Sequence, residues 1–327
     1  MSKKSEIIDF CNELGLSEVG FCKCQIFDES QTFFKKRKEL NLENEFEEEN
    51  IYKRINPKLY MEEGKTIMSI AFPYLFNKKV KEELYFSLYT RGRDYHKVVS
   101  EYLSKVCNFI EEGLGGKAIY FVDSNALPER YIALKSGVGF VGKNNMIINK
   151  RYGSYTFLGE IIMDLDIKPD ELVTGKCGKC EKCLNACPTK SISEKKCDPN
   201  VCLSYITQKK HIDEEYFHKF KGRLFGCDTC QDVCPFNRII DYSNLEELRP
   251  FEFMDKININ ELANIDNLIF KAKYALTSSG WRGKNIIQRN AIINLLTNKE
   301  IISMDNFRTN STYVEEYYHR LLKYNKL

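Results

Sequence analysis

Two cysteine runs carry the strongest chemical signal in this sequence. The first is Cys177-Gly-Lys-Cys180-Glu-Lys-Cys183-Leu-Asn-Ala-Cys187-Pro188, and the second is Cys227-Asp-Thr-Cys230-Gln-Asp-Val-Cys234-Pro235. The first is a complete C-x2-C-x2-C-x3-C-P pattern, the spacing with which two-cluster ferredoxins hold iron–sulfur cubes. The second keeps the same ending and lacks one leading cysteine. A cubane needs four thiolates, and C-x2-C-x2-C lets one short loop wrap three iron corners. The fourth ligand must arrive from elsewhere, so the last cysteine of each run crosses to the other cluster. On that pattern Cys177, Cys180, Cys183 and Cys234 hold one 4Fe–4S cluster. Cys227, Cys230 and Cys187 hold most of the second, and its remaining ligand is Cys202 or Cys197. Zinc is the competing reading, because two C-x2-C pairs can hold a tetrahedral ion. It would leave at least four of these cysteines idle, whereas the crossed pattern uses eight.

Two clusters in series imply single-electron transfer rather than hydrolysis. One cluster takes electrons from a reductase, and the other passes them to a second centre in the N-terminal part. Residue types alone leave that centre open between a flavin, a corrin and direct reduction of substrate. The remaining cysteines, Cys11, Cys22, Cys24 and Cys107, have no partner at cluster spacing and read as small buried hydrophobes.

The chain of 327 residues is long enough for two or three domains, and 43% hydrophobic content supports a sizeable core. No apolar run approaches the roughly 20 residues of a membrane helix. The first residues lack the apolar segment of a signal peptide, so a cytoplasmic protein is expected. Reduced cytosolic thiols then favour ligation over disulfides. A net charge of +3 is low for a bulk polyanion binder, so any nucleic-acid contact must come from a local patch.

The elements that position these groups follow from periodicity. Apolar spacing predicts helices over 3–16, 96–112 and 127–135, and strands over 19–22, 66–73, 118–122, 146–148 and 155–158. Residues 28–53 read as a polar helix or lid whose acidic stretch 43–49 is a solvated face. This alternation predicts an α/β or α+β fold over 1–168, followed by a cluster domain over 169–245. A helical C-terminal region over 246–327 follows, with helices over 259–265, 268–276, 286–296 and 314–322. In that region Lys271, Lys273, Arg282, Lys284 and Arg289 form a basic face, read as solvated, with a polynucleotide backbone as the alternative partner. Asp123 falls at the C-terminal end of a strand, the edge where ligands gather in α/β sheets. Gly137-Val-Gly139-Phe-Val-Gly142 has dinucleotide-fingerprint spacing but follows a helix rather than a strand, which argues against that use.

Several stretches together resemble the epoxyqueuosine reductase family. They are Phe121-Val-Asp123-Ser-Asn-Ala-Leu-Pro-Glu129, Gly137 to Lys143, Gly153-Ser-Tyr-Thr-Phe-Leu-Gly-Glu160, Cys202-Leu-Ser-Tyr-Ile-Thr207 and Phe225 to Asn237. Arg91-Gly-Arg-Asp-Tyr-His96 and Arg289-Asn-Ala291 are similar too. The resemblance implies a cobalamin-dependent enzyme that reduces epoxyqueuosine at the tRNA wobble position to queuosine. It implies a nitroreductase-like cobalamin-binding domain, a ferredoxin-type domain and a helical C-terminal part. It makes Cys202 the eighth ligand and leaves Cys197 spare. It makes Asp123 the proton donor, with burial against the corrin raising its pKa. Arg54, Ile147, Leu158, Ser204, Cys227 and Asp228 are placed by it near cobalamin. The family commonly has Gly-Lys-His where this chain has Gly142-Lys143-Asn144. His96, His211, His218 and His319 are read as ordinary polar residues. The partners implied are tRNA and an electron donor such as a flavodoxin or a ferredoxin reductase, with a monomeric chain and no membrane. A corrinoid dehalogenase-like reductase and a pure electron carrier are the competing classes. The export signal usual for the first is absent here, and the second would not need the long segment ahead of the clusters.

Overall fold

The structure is a computed structural model and describes residues 2–77, 83–193, 197–297 and 307–325. In chain order the strands are β1 (Val19–Lys23), β2 (Thr66–Pro73), β3 (Tyr85–Phe86), β4 (Ala118–Phe121), β5 (Phe140–Val141), β6 (Ile147–Ile148), β7 (Thr156–Met163) and β8 (Arg223–Phe225). Four of them form a sheet in the order β1-β2-β7-β4, and every neighbouring pair is antiparallel. β2 is buried along its whole length because both faces of the sheet are covered. Side chains alternate between those faces. Met68, Ile70 and Phe72 join Ile161 and Met163 beneath the helices Lys3–Glu13 and Tyr95–Asn108. Ile67 and Ile162 point the other way, into a cluster with Phe27, Phe34, Ile55 and Ile132.

The mixed α/β class stands, but two local expectations are corrected. β7 runs well past the expected 155–158, because Gly159 continues to pair with β2 and residues 160–163 pair with both β2 and β4. An antiparallel sheet also has no shared C-terminal edge. Asp123 lies instead two residues beyond the edge strand β4, where the backbone turns through φ +49°. The acidic stretch is not a simple solvated face either. Glu47 accepts two hydrogen bonds from Arg37 Nη2 (2.7 and 2.8 Å), and Arg54 Nη1 lies 3.2 Å from both Glu43 and Glu47.

A second core is built around the helix Lys284–Thr297, in which every residue from 286 to 296 is buried. Phe217, Phe220, Leu224, Leu262, Tyr317 and Leu321 pack around it, and Phe86 of β3 reaches into the same cluster. β3 pairs in parallel with β8, which ties this core to the N-terminal part. Arg289 belongs to it and not to an exposed basic face. It is fully buried, and Nη1 donates to the carbonyls of Lys209 (2.6 Å) and Lys210 (3.2 Å), while Nη2 donates to that of Thr207 (2.9 Å). Its guanidinium satisfies carbonyls that close the segment after Cys202. Arg289→Met removes three charged donors and leaves the Lys209 carbonyl unpaired, while Thr207 and Lys210 keep Asn290 and Tyr313; hydrogen bonds to a charged group contribute roughly 1.5–3 kcal/mol each. The urea midpoint is therefore expected to fall by an amount matching at least about 3 kcal/mol. An unchanged midpoint would refute this structural role for Arg289.

Candidate active site and cluster ligands

The two cysteine runs meet where the short helices Lys182–Ala186 and Thr229–Asp232 pack together. Four thiols, those of Cys177, Cys180, Cys183 and Cys234, line one enclosed cavity with Asn144 and Phe236. Burial raises the Cys183 thiol, which also lies within reach of Cys177 and Cys234. The remaining four gather separately. Burial pushes Cys202 up to about 11, with Cys227 and Cys187 as neighbouring charges. Burial likewise raises Cys230, whose neighbours include Cys202, Cys227 and Cys187. Cys187 moves the opposite way, because backbone donors from Thr189, Ser191 and Ile192 outweigh its burial. Among the described residues no three His, Cys, Asp or Glu side chains converge tightly enough for a single metal ion. Thiols spread around a cavity suit a cube better than a tetrahedral zinc ion. Cys197 stands aside, its Sγ 3.4 Å from the carbonyl of Lys143. Cys11, Cys22, Cys24 and Cys107 are buried, and desolvation pushes all four thiols up, to between about 11 and about 12.

The second cysteine run is clamped to the N-terminal part. Gln231 Nε2 donates to the carbonyl of Ser154 (2.8 Å) and to Tyr74 Oη (3.1 Å), and Asn237 Nδ2 donates to Ser154 Oγ (2.9 Å). Gly153 has φ +59°, and a Cβ there would sit 2.1 Å from Asn237 Oδ1, so only glycine allows this approach. Asp228 is buried and accepts from Ser87 Oγ and from the Leu88 amide (3.1 Å). Arg223 Nε donates to Cys227 Sγ at 3.3 Å.

Asp123 sits at the centre of a hydrogen-bonded group of titratable side chains. Its carboxylate accepts from Tyr95 Oη at 2.7 Å and from His96 Nε2 at 3.1 Å, and His96 Nδ1 lies 2.8 Å from Asp94. The Tyr95 ring stacks on Phe157 of β7 at 4.1 Å, which fixes the donor. Desolvation alone would raise Asp123, but the bonds from His96 and Tyr95 outweigh it, and its pKa falls below the ordinary value. The expected upward shift of Asp123 concerned a carboxyl packed against a corrin; with its protein neighbours the direction is downward. His96 moves the opposite way. Burial works against its charge, yet the two flanking carboxylates raise it to about 9.

Behind Asp123 lie two further acids. Its backbone N–H donates to Glu129 Oε1 (2.5 Å). Burial, then the Asp123 charge, raises Glu129 to about 7. Glu160 of β7 is fully buried and accepts from Ser69 Oγ at 3.3 Å. Burial, then the Glu129 charge, pushes its carboxyl well up.

The other expected site residues divide. Ile147 and Leu158 meet in one small apolar cluster with Ala71, Ala133 and Val138. Ser204 bonds to Tyr89, and Tyr89 also feels Asp228, Asp123 and Cys202, which places it between the acid and the second thiol set. Arg54 is engaged elsewhere, with Glu43 and Glu47 on its Nη1 and Phe34 4.0 Å beneath its guanidinium. Tyr95 and His96 were missed as site residues, although the Arg91 to His96 stretch carried the signal. An open depression lined by Asn56, Lys58, Tyr60 and Ile119 holds none of the residues singled out.

Paired thiol sets beside a hydrogen-bonded acid define an iron–sulfur oxidoreductase. A family model for a 4Fe-4S double cluster binding domain matches residues 176–237, and one for epoxyqueuosine reductase QueG, DUF1730, matches residues 54–124. Epoxyqueuosine reductase of Bacillus anthracis is 35% identical over 307 residues, covering 91% of this chain and 81% of the relative. That of Bacillus subtilis is 35% identical over 304 residues, covering 89% and 78%. A crystal structure of epoxyqueuosine reductase with an epoxyqueuosine-modified tRNA-Tyr stem loop superposes with TM-score 0.92 at 32% identity, covering 98% of this chain and 90% of that one. The Streptococcus thermophilus enzyme gives TM-score 0.86 at 30% identity over 100% of both chains. The chain belongs to the epoxyqueuosine reductase family.

The His96 shift has a measurable consequence. A histidine raised from 6.5 to about 9 on folding adds stability that is complete below pH 6.5 and lost as pH rises through 9. The stability difference between wild type and His96→Asn is expected to shrink over that window in urea unfolding at stepped pH. A difference that stays constant to pH 9.5 would show that His96 is not held charged.

Proposed function

We propose that this chain reduces the epoxide of epoxyqueuosine at the tRNA wobble position to the alkene of queuosine. The overall change is epoxide plus two electrons and two protons giving alkene plus water. Two thiol sets lying beside a carboxylate–imidazolium pair carry this reading. Cys177, Cys180, Cys183 and Cys234 would hold one 4Fe–4S cluster, and Cys187, Cys202, Cys227 and Cys230 the other. Cobalamin, when bound and reduced through the clusters, supplies the two electrons to the epoxide.

The chain's own groups suit a flat apolar ring with an acid on one side. Ile147 and Leu158 offer an apolar wall, and Ser204, Cys227 and Asp228 bring the second thiol set toward Asp123. Arg54, once released from Glu43 and Glu47, would add a cation at the rim. The acid is best described as a pair. Asp123 orients the proton, Tyr95 fixes the carboxylate, and His96 stores the proton at neutral pH. The inner acids Glu129 and Glu160 take protons more readily and leave Asp123 as the ionised member. We further propose three functional units, 1–168 for cobalamin and catalysis, 169–245 for the clusters and 246–327 as a helical support. Among the described residues no helix is long and apolar enough to cross a membrane. A cytoplasmic monomer acting on tRNA, with a flavodoxin or ferredoxin reductase as donor, fits this reading.

Anaerobic reconstitution tests it directly. Iron and cobalt are counted per chain, epoxyqueuosine-containing tRNA is supplied with a reductant, and the wobble nucleoside is weighed by mass spectrometry. Queuosine should form; zinc in place of iron, or no affinity for a corrinoid, would sink the reading. Asp123→Asn is expected to keep both cofactors and lose roughly 10²–10⁴-fold in kcat. Undiminished turnover in that variant would remove Asp123 from the chemistry.

A further inference from the structure

The β5–β6 hairpin presents a donor with nothing to bind. Its turn is closed by the Gly142 amide donating to the carbonyl of Met146 (2.9 Å) and the Asn145 amide to that of Gly142 (2.9 Å). Within it, Asn144 is only 9% exposed. Its Oδ1 accepts from the Met146 amide at 3.4 Å, which fixes the amide orientation. The Nδ2 group is fully buried and has no hydrogen-bond partner among the described residues. Buried donors are almost always paired, so an orphan marks a missing partner. This one belongs to a residue lining the same cavity as Cys177, Cys180, Cys183 and Cys234. The preceding amide already behaves that way, since Lys143 N donates to Cys177 Sγ at 3.4 Å. The chemistry of the lining leaves sulfur as the acceptor.

We propose that the Asn144 side-chain amide donates a hydrogen bond to a sulfur of the cluster held by Cys177, Cys180, Cys183 and Cys234, and so sets the potential at which that cluster takes electrons. The inference rests on the two-cluster reading of the site. Donors to cluster sulfur favour the more negative, reduced state and raise its potential. The set containing Cys202 is the one that shares Tyr89 as a neighbour with Asp123. Asn144 therefore acts where electrons enter, not where the epoxide reacts. A neutral amide cannot titrate, so its contribution holds at any physiological pH, unlike that of an imidazole at the same position.

The test is a redox titration of the anaerobic holoprotein followed by electron paramagnetic resonance. Asn144→Leu keeps the volume and removes the donor. It should lower the potential of one cluster, with about 59 mV for each tenfold loss in its reduction equilibrium, and leave the second cluster and the iron content unchanged. Asn144→His should restore the potential at low pH and make it pH-dependent. Wild-type protein carrying side-chain 15N asparagine should show a nitrogen hyperfine coupling that Asn144→Leu lacks. Where Asn144→Leu loses that cluster, Asn144→Ser, which keeps a polar side chain without nitrogen, supplies the comparison. An unchanged potential with full iron content, an equal shift of both clusters, or no 15N coupling in the wild type would overturn the proposal. Wild-type protein that takes up no iron would instead overturn the two-cluster reading itself.

Discussion

One loop cannot surround a cube, and the rest of this structure answers to that limit. Each proposed cluster needs three thiolates from one stretch and a fourth from another, so residues 177–187 and 202–234 have to be docked as a unit. The docking is done by side chains with no redox role. Gln231 and Asn237 bond to Ser154 at the entry to β7, and Asp228 takes Ser87 and Leu88. Arg289 closes the carbonyls that follow the Cys202 turn. These contacts fix where the thiols stand relative to the sheet. Buried, mutually satisfied polar groups of this kind specify a single arrangement, because any slip leaves several of them unpaired at once.

The sequence declared the electron chemistry far more openly than the proton chemistry. Cluster ligation depends on short spacings within a run, and those are visible in one dimension. The pairing of Asp123 with His96 depends on a helix start and an edge-strand end meeting in space. Nothing in the local pattern of either segment predicts that meeting, and His96 alone reads as an ordinary polar residue. The same limit explains Arg289. A basic residue among lysines looks solvated until its neighbours prove to be carbonyls of a distant turn. It also explains Arg54, whose partners lie in an acidic stretch that reads as surface. Strand existence was legible from apolar runs. Strand direction was not, since antiparallel order follows from connections that periodicity does not encode.

The family resemblance and the physical reading reach the acid from different sides. Resemblance points to Asp123 alone, with a pKa raised by burial. The hydrogen bonds around Asp123 lower its carboxyl and raise the neighbouring imidazole. The two views agree on position and differ on storage. A carboxylate flanked by an imidazolium and a phenol can pass a proton outward and regain it from behind without being isolated as a free acid.

That arrangement also fits the arrival of electrons. On the proposed reading, an electron reaching the thiol set that shares Tyr89 with Asp123 would add negative charge nearby, and in a partly desolvated site such charges act over several ångströms. Added negative charge raises the pKa of every group nearby, so the stored proton is held more firmly as the site is reduced. Release then waits until an oxygen with stronger demand for it develops at the substrate. Glu129 and Glu160 keep this from failing. Were both ionised, two further negative charges beside Asp123 would push its own carboxyl toward protonation. Because burial raises the two inner acids, the outer one keeps the imidazolium to itself.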